Sequence, residues 1–270
     1  MSTVSVEAAT TRKPSTSLTW VISDAWVITK RNLLQYVRIP SLLVFSTIQP
    51  VMFVLLFRYV FGGAINVPGV RYVDFLMPGI FVQTSVFGAV QTGIGLADDL
   101  SKGLIDRFRS LPMARSAVLA GRTASDSARN LFVILLMTGV GYLVGFRFHV
   151  GFLAAVGAIV LALAFGHAFS WISASIGLAI RNVESVQAAS FVWIFPLTFA
   201  SAAFVPVASM PGWLQAWAKV NPVTITVDAM RALTLPNQPI ATHVLQAIAW
   251  IAGLMIVFVP LAIRRYRRTV

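Results

Sequence analysis

Long apolar segments separated by short polar ones dominate the chain from residue 41 to residue 263. A helix needs about 20 consecutive apolar residues to cross the hydrocarbon core of a bilayer. Each such segment should be an α-helix, because lipid offers no hydrogen-bond partner to an open backbone. The pattern predicts an all-α polytopic membrane protein with six transmembrane helices, at about residues 41–61, 74–97, 119–145, 151–177, 187–205 and 243–263.

The segment before the first span, residues 18–40, has an amphipathic pattern. One helical stripe is mostly apolar (Ile22, Trp26, Thr29, Leu33, Val37), and the opposite stripe is polar (Asp24, Arg31, Gln35, Arg38). This arrangement predicts a helix lying in the membrane interface, ended by Pro40. A solvated helix of a small N-terminal domain is the alternative, although 40 residues are too few to bury a core. The polar residues 1–17 are predicted to be a disordered cytoplasmic N-terminus.

The connection between the fifth and sixth spans is itself largely apolar. Proline-led helix start signals occur at residues 209–211 and 221–222, and Pro236 ends the second piece. Both pieces are too short to cross a bilayer, and Trp213 and Trp217 suit a membrane interface. We expect two short re-entrant helices that dip into the outer leaflet, with a flat amphipathic lid as the alternative.

The composition agrees with a membrane protein and excludes several other classes. Hydrophobic residues make up 57% of the chain and charged residues 11%, against about 25% charged in soluble domains. The absence of cysteine excludes disulfides, thiol catalysis and cysteine metal sites. The scattered histidines, His149, His167 and His243, predict no metal site. The net charge of +12 comes from basic residues that flank apolar segments. They form no patch on a soluble module, so we expect no nucleic-acid partner.

The basic residues also predict the orientation. If six spans alternate, sixteen of the 21 Lys and Arg residues fall on one side and five on the other. The positive-inside rule then places both termini in the cytoplasm. We expect a transmembrane domain over residues 41–263 in the plasma (inner) membrane of a bacterium, followed by a basic cytoplasmic tail at 264–270.

The predicted inner loop between the second and third spans alternates acidic with basic residues. Within it, Leu104, Ile105, Phe108 and Leu111 form an apolar strip on one side of a short helix that Pro112 ends. Such a helix, held away from the membrane, is typical of docking into a groove of another protein, where arginines pair with carboxylates. The simpler alternative is an anchor that obeys the positive-inside rule.

Three stretches carry a resemblance to a known family: GLIDRFRSLPMARSAVLAGR at 103–122, FVPVASMPGWLQAWAKVNPVT at 204–224 and DAMRAL at 228–233. Over nearly its whole length the chain resembles ABC-2 type permease subunits of ATP-driven exporters, most closely the daunorubicin-resistance-like branch. The resemblance implies that the inner loop is a coupling helix docked on a nucleotide-binding subunit. It also implies that the N-terminal interfacial helix touches that subunit and that the short outer helices cap the outer end of the pathway.

These two lines of reasoning give the candidate site residues. The predicted coupling segment contains Gly103, Leu104, Asp106, Arg107, Phe108, Arg109, Leu111, Pro112 and Arg115. The predicted outer gate contains Pro211, Trp213, Trp217, Asn221, Pro222, Asp228 and Arg231. No pattern predicts a catalytic residue, a cofactor site or a metal ligand.

The chain carries no ATP-binding motif of its own. A P-loop requires Gly-Lys-Ser/Thr, and the four lysines are followed by Pro14, Arg31, Gly103 and Val220. We expect the chain not to be an enzyme by itself, and ATP and Mg to be bound by two copies of a separate ATPase subunit. A second permease subunit, either an identical copy or a sister permease, is expected to complete the transporter.

Charged and polar residues within the spans have competing interpretations. Arg122, Asp126 and Arg129 share one helix face at the inner end of the third span, and form either a relay from the coupling helix or an ordinary boundary salt bridge. His167 is either a functional group or is hydrogen-bonded to a neighbouring helix. Arg58, and Asp228 with Arg231, suggest snorkelling or local pairing.

The remaining polar and small residues of the spans have more than one possible role. Polar side chains either line a pathway or hold helices together: Gln49, Gln83, Gln91, Ser170, Ser173 and Gln187. Small residues of the fourth span predict close helix packing: Gly157, Ala162, Ala164 and Gly166.

The predicted function is that of a permease subunit exporting an amphipathic drug or lipid with a separate ATPase. Export of a polysaccharide or lipid-linked glycan is the first alternative. An ion-driven secondary transporter is the second, and it predicts acidic residues buried in the middle of spans. A non-transporting membrane scaffold is the third.

Overall fold

A computed structural model describes residues 18–65, 67–104 and 115–269. Its regular elements in these ranges are all helical. They are α1 (Leu18–Arg38), α2 (Pro40–Leu55) with a π-helical continuation (Leu56–Phe61), α3 (Tyr72–Ser101), α4 (Arg115–Leu143), α5 (Phe152–Ile180), α6 (Val183–Phe199), α7 (Gly212–Val220), α8 (Pro222–Thr234) and α9 (Ile240–Thr269). A single 3-10 turn, Val207–Ser209, precedes α7. The all-helical, polytopic membrane architecture is confirmed.

Each of the six predicted spans coincides with a helix, but their lengths and polarity differ. Four helical segments are long and apolar enough to cross a membrane: Leu43–Phe61, Tyr72–Ser101, Phe152–Ile180 and Ile240–Arg268. Helix α6 is apolar but has only 17 residues. Helix α4 has 29 residues, with four charged residues between Arg115 and Arg129. The count of six crossings therefore stays a prediction, while four segments have the character of spans.

Helix α3 lies at the centre of the bundle and is buried along most of its length. It packs so closely against α5 that a Cβ on Gly93 would lie 2.5 Å from the carbonyl oxygen of Ser173. Gly166, predicted to allow close packing, does so, since a Cβ there would lie 2.9 Å from Cβ of Ser85. Gly157 has no neighbour so near. Small residues thus set the α3–α5 distance, mainly at positions other than Gly157.

Helix α1 packs along α4 and ends at Arg38, with Pro40 starting α2 as predicted. Its buried side is Ile28, Thr29 and Asn32, which is rotated from the apolar stripe predicted from the sequence. Thr29, assigned to that stripe, is buried against α4, where its hydroxyl donates to the carbonyl of Gly121 at 3.2 Å. Trp26 stays 64% exposed, as a side chain at a membrane interface would be.

Helix α6 ends at Phe199, earlier than the predicted span end at residue 205. Residues 200–206 form a non-helical connection. The carbonyl of Ala202 accepts from the guanidinium of Arg231 on α8 at 2.6 Å, so tertiary contacts hold this connection in place. At the other end of the chain, the basic residues predicted as a tail continue α9 up to Thr269.

Candidate functional site

A cavity of about 400 Å³ opens between α1, α2, α3, α4 and α6. Four of the glutamines predicted to line a pathway, Gln49, Gln83, Gln91 and Gln187, meet in its wall. Ser170 and Ser173 lie elsewhere: Ser170 donates to its own helix at Gly166, and Ser173 is buried. The rest of the wall combines apolar and aromatic residues with charged ones: Phe45, Pro50, Phe87, Val90, Ile94, Val133, Phe191, Asp98, Arg122 and Arg129.

Two buried polar atoms of uncharged side chains in this wall have no hydrogen-bond partner within the described part of the chain. They are Oε1 of Gln83 and Oγ1 of Thr84, on neighbouring positions of α3. A buried polar atom without a partner is costly, because it has lost water and gained nothing in return. These groups give the cavity unused capacity for a polar ligand.

Arg122 and Asp126, predicted to pair, lie in a larger charge network beside the cavity. Nε of Arg122 is 3.6 Å from Oδ2 of Asp126, and its Nη1 is 3.5 Å from Oδ2 of Asp99 on α3. Arg31 of α1 approaches the same Asp99 oxygen at 3.7 Å. The network ties α1, α3 and α4 together at the end of the bundle where α3 ends and α4 begins.

Asp126 is completely buried, and its two oxygens have further partners. Tyr36 of α1 donates to Oδ1 at 2.9 Å, and Thr92 of α3 donates to Oδ2 at 2.6 Å. Burial, with Asp126 nearby, raises the pKa of Tyr36 well above its usual value, so the phenol stays protonated and donates. Asp126 is therefore a point at which α1, α3 and α4 meet.

Arg129, predicted as the third member of this cluster, makes different contacts. Its Nη2 donates to the carbonyl of Gly88 on α3 at 2.7 Å and to Oδ1 of Asn130 at 3.1 Å. Among the described residues, no carboxylate lies within ion-pair distance of this guanidinium. Arg129 is thus separate from the ion pairs and faces the cavity.

The predicted coupling segment is described only at its two edges. Gly103 has φ of +65° and ends α3 in a left-handed turn, a conformation that glycine adopts without strain. Leu104 lines a second cavity of about 380 Å³ with Asp99 and Arg122, and Arg115 begins α4. The other members lie outside the described residues: Asp106, Arg107, Phe108, Arg109, Leu111 and Pro112.

The first predicted outer helix, α7, begins one residue later than its proline. Pro211 occupies the N-cap position and makes no side-chain capping bond, whereas Ser209 belongs to the preceding 3-10 turn. Trp213 is 75% exposed and Trp217 is 47% exposed. Helix α7 therefore lies on the surface of the bundle, and whether it enters a leaflet stays a prediction.

The second outer helix, α8, matches its sequence signal. Asn221 accepts from the backbone N–H of Val223 at 2.8 Å, and Pro222 is the first helical residue. The Asn221 amide also donates to the carbonyl of Leu197 at 2.7 Å, which joins the start of α8 to the end of α6. The helix ends at Thr234, before Pro236.

Arg231 is buried, and of its two interpretations the structure shows local pairing, with Asp228 at 3.2 Å. Its guanidinium donates to the carbonyls of Phe75 and Ala202 and stacks 3.5 Å from the Phe75 ring centre. Burial lowers the pKa of Arg231 to about 10, which leaves it charged at neutral pH. The side chain connects α8, α3 and the connection after α6.

His167 is bonded to a neighbouring helix, as one of its two interpretations predicted. The indole N–H of Trp171 donates to its Nε2 at 3.2 Å, so Nε2 is the acceptor nitrogen. The proton then lies on Nδ1, which is 2.9 Å from Oγ of Ser127 on α4. The Nδ1 contact with Ser127 therefore joins α5 to α4, while the Nε2 contact with Trp171 lies within α5.

Sequence reasoning missed an ion cluster at the opposite end of α3. Asp74 is buried and accepts from Arg71 at 2.7 Å, from the backbone N–H of Arg147 at 3.2 Å, and lies 3.3 Å from His149. An acid in the first turn of a helix, three residues after an arginine, is the signal that identifies part of it. The contacts from residues 147 and 149 are tertiary and have no local signal.

Comparison with known proteins agrees with these features. The profile of the ABC-2 type transporter family matches residues 23–235. A daunorubicin resistance ABC transporter permease protein from Streptomyces coeruleorubidus is 35% identical over 253 residues, covering 94% of this chain and 88% of that protein. A protein named as a probable doxorubicin resistance ABC transporter permease from Mycobacterium tuberculosis is 27% identical over 267 residues, covering 97% of this chain and 96% of that protein. The chain belongs to the ABC-2 type transporter family and is a membrane permease subunit of an ABC exporter.

Proposed function

We propose that this permease exports an amphipathic drug or lipid across the plasma membrane through the cavity between α1, α2, α3, α4 and α6. The observation that supports the proposal is the composition of the wall, in which glutamines alternate with Phe45, Phe87 and Phe191. A volume of about 400 Å³ falls within the range of pockets for drug-sized molecules. The resistance proteins to which the chain is similar support the same class of cargo.

Membership of the family implies an ATPase subunit as partner. We propose that two copies of this ATPase, which hold the ATP and Mg, serve a pair of permease subunits, and that the chain itself is not an enzyme. Closure of the ATPase pair would then move the segment at residues 103–115. The ion pairs of Arg122 with Asp126 and Asp99 lie near the end of α3 and the start of α4. A movement of the segment would therefore be transmitted through them to the helix bundle.

The coupling proposal is tested at Phe108. Phe108→Ala should weaken co-purification of the ATPase, or leave it bound with hydrolysis uncoupled from transport, because truncation of a buried aromatic anchor costs about 2 kcal/mol or more. Arg107→Lys with Arg109→Lys keeps the charge count and should also impair coupling, because lysine lacks the bidentate geometry. The measurement is cargo transported per ATP hydrolysed in reconstituted vesicles.

Phe152→Ala is the matched control, since Phe152 is 84% exposed at the start of α5 and belongs to the predicted outer side. It should couple like the wild type. Normal coupling in both the Phe108 variant and the double arginine variant would reduce the segment to a topological anchor.

The proposed orientation has both termini in the cytoplasm. Single cysteines can be introduced without background, because the chain has none. Ser185 and Ser209 are both exposed on the bundle but belong to opposite predicted sides. An impermeant thiol reagent added to intact cells should label a cysteine at Ser209 and spare those at Ser116 and Ser185. The reverse labelling pattern would invert the topology.

We also propose that α7 and α8 close the outer end of the pathway. Trp213 and Trp217 are exposed on α7, so the fold does not depend on burying them. Replacing both with alanine should leave membrane insertion and yield intact while raising ATP hydrolysis in the absence of cargo. Trp250→Ala on α9 is the control, because Trp250 is also exposed and lies away from α7 in the chain. Loss of folded protein in the double variant, with the control unaffected, would make α7 structural instead.

A further inference from the structure

The cavity wall contains a buried arginine that forms no ion pair with any carboxylate of the described residues. Arg129 is 5% exposed, and within the described part of the chain its guanidinium contacts only neutral hydrogen-bond partners, the carbonyl of Gly88 and the amide oxygen of Asn130. Its Nε has no partner at all. Asp126, one turn away, is held by Tyr36, Thr92 and Arg122. A positive charge buried at this depth calls for a negative partner.

Unused hydrogen-bonding groups lie in the same wall. Gln83 is 2% exposed and Thr84 is 5% exposed; Oε1 of the first and Oγ1 of the second have no partner. The backbone of Gly88, which accepts from Arg129, is one helical turn along α3 from Thr84. The Thr84 hydroxyl can donate to a phosphate or carboxylate oxygen beside the guanidinium, whereas Oε1 of Gln83 is an acceptor and can bond only to a donor group of the cargo, such as a hydroxyl.

The charges of the wall disfavour a cationic head group. Arg122 is paired with Asp99 and Asp126, but Arg129 contributes a guanidinium group without an ion-pair partner among the described residues. The wall's single acid in these residues, Asp98, forms an ion pair with Lys102 at 2.7 Å. The apolar part of the wall extends to Phe45, which is 72% exposed. An amphiphile therefore has room for its apolar body along α2 while its head lies against α3 and α4.

We propose that Arg129 and Thr84 form a head-group subsite that selects amphiphiles with an anionic phosphate or carboxylate head over cationic ones. This assignment rests on the proposed export function and adds the class of cargo to it. The guanidinium supplies the charge, and the Thr84 hydroxyl supplies a further hydrogen bond. A lipid phosphate and a free carboxylic amphiphile share this chemistry, and differ in the apolar body that α2 must accommodate.

The experiment uses the assembled transporter, this chain with its ATPase, in nanodiscs of neutral lipid. Three pyrene-labelled probes share one decyl chain and carry a phosphate, a carboxylate or a trimethylammonium head. Wild type should bind both anionic probes about tenfold more tightly than the cationic one, as expected for one charge-assisted contact in a desolvated site. Comparing the phosphate and the carboxylate probes tells which of the two heads fits better.

Substitutions then locate the preference. Arg129→Gln retains a donor for the Gly88 carbonyl but not the charge, and should abolish the preference, whereas Arg129→Lys should keep most of it. Arg265→Gln is the matched control, because Arg265 also donates to a backbone carbonyl, that of Ser175 at 2.8 Å, and does not line the cavity. Thr84→Val, close to isosteric, should weaken binding of the anionic probes severalfold even if the Arg129 variants fail to fold.

Stimulation of ATP hydrolysis by the same probes separates the two proposals. If all three probes bind equally and stimulate ATP hydrolysis equally, the head-group subsite is wrong, but the proposed export function is not contradicted. The same conclusion follows if the preference for anionic probes survives both Arg129→Gln and Thr84→Val. Tighter binding of the cationic probe would also overturn it. If no probe binds or stimulates the wild-type complex, the proposed export of amphiphiles fails first, and the subsite with it.

Discussion

Asp126→Ala should lower the free energy of unfolding by about 3–5 kcal/mol, the usual effect of removing one partner of a buried ion pair. The substitution leaves Arg122 with only Asp99 at 3.5 Å. It also removes the acceptor that Tyr36 and Thr92 use from two other helices. The measurement is equilibrium unfolding in mixed detergent micelles, followed by circular dichroism.

The matched control for this variant is Asp98→Ala. Asp98 also pairs with a basic residue, Lys102 at 2.7 Å, but both side chains are largely exposed. Its loss should cost less than about 1 kcal/mol, because water screens and replaces such a pair. Equal effects of the two substitutions would show that the network does not hold α1, α3 and α4 together.

Arg231→Met should destabilise the protein by a similar amount, about 3–5 kcal/mol. Methionine fills much of the space but leaves Asp228 and the carbonyls of Phe75 and Ala202 without their donor. Arg231→Lys should recover only part of the loss, since an ammonium group lacks the planar fork that reaches both carbonyls.

The control is Lys219→Met on α7, which removes the same charge from an exposed position near α8. Unfolding should be unchanged within about 0.5 kcal/mol, as for surface substitutions in general. If Arg231→Met unfolds like this control, the buried guanidinium is not what joins α8 to α3.

Local signals in the sequence predicted the features of the fold that depend on neighbouring residues alone. The Asn221-Pro222 pair predicted the start of α8 because a side-chain cap and a proline act within one turn. Pro40 predicted the break between α1 and α2 for the same reason. Four glutamines chosen only as polar positions within spans proved to share one cavity.

Contacts between segments that are distant in the sequence could not be predicted from such local signals. Asp99 joins Arg122 and Arg31 only once α1, α3 and α4 have packed, and nothing near Asp99 in the sequence indicates these partners. The same holds for Arg231, for which the sequence indicated only snorkelling or a local pair with Asp228. Its acceptors are the carbonyls of Phe75 and Ala202, which are 156 and 29 residues away.

The early end of α6 has a similar origin. Hydropathy alone extends the fifth span to residue 205, because the residues that follow Phe199 are mostly small or apolar. In the structure, backbone groups of these residues form tertiary hydrogen bonds instead of helical ones. The N–H of Ala202 donates to Thr224 of α8 at 3.0 Å, and its carbonyl accepts from Arg231. A helix continued through these residues would lose both contacts.

The most direct test of the account is ATP-driven transport by the purified complex. Inside-out vesicles containing this chain and the ATPase that co-purifies with it are given the pyrene-labelled phosphate amphiphile, and its accumulation in the lumen is followed by fluorescence. Accumulation should require ATP and Mg, and should stop with ADP or with a hydrolysis-deficient ATPase. Equal accumulation without ATP, driven by an imposed proton gradient alone, would contradict the assignment of this chain as the permease of an ATP-driven exporter of amphiphiles.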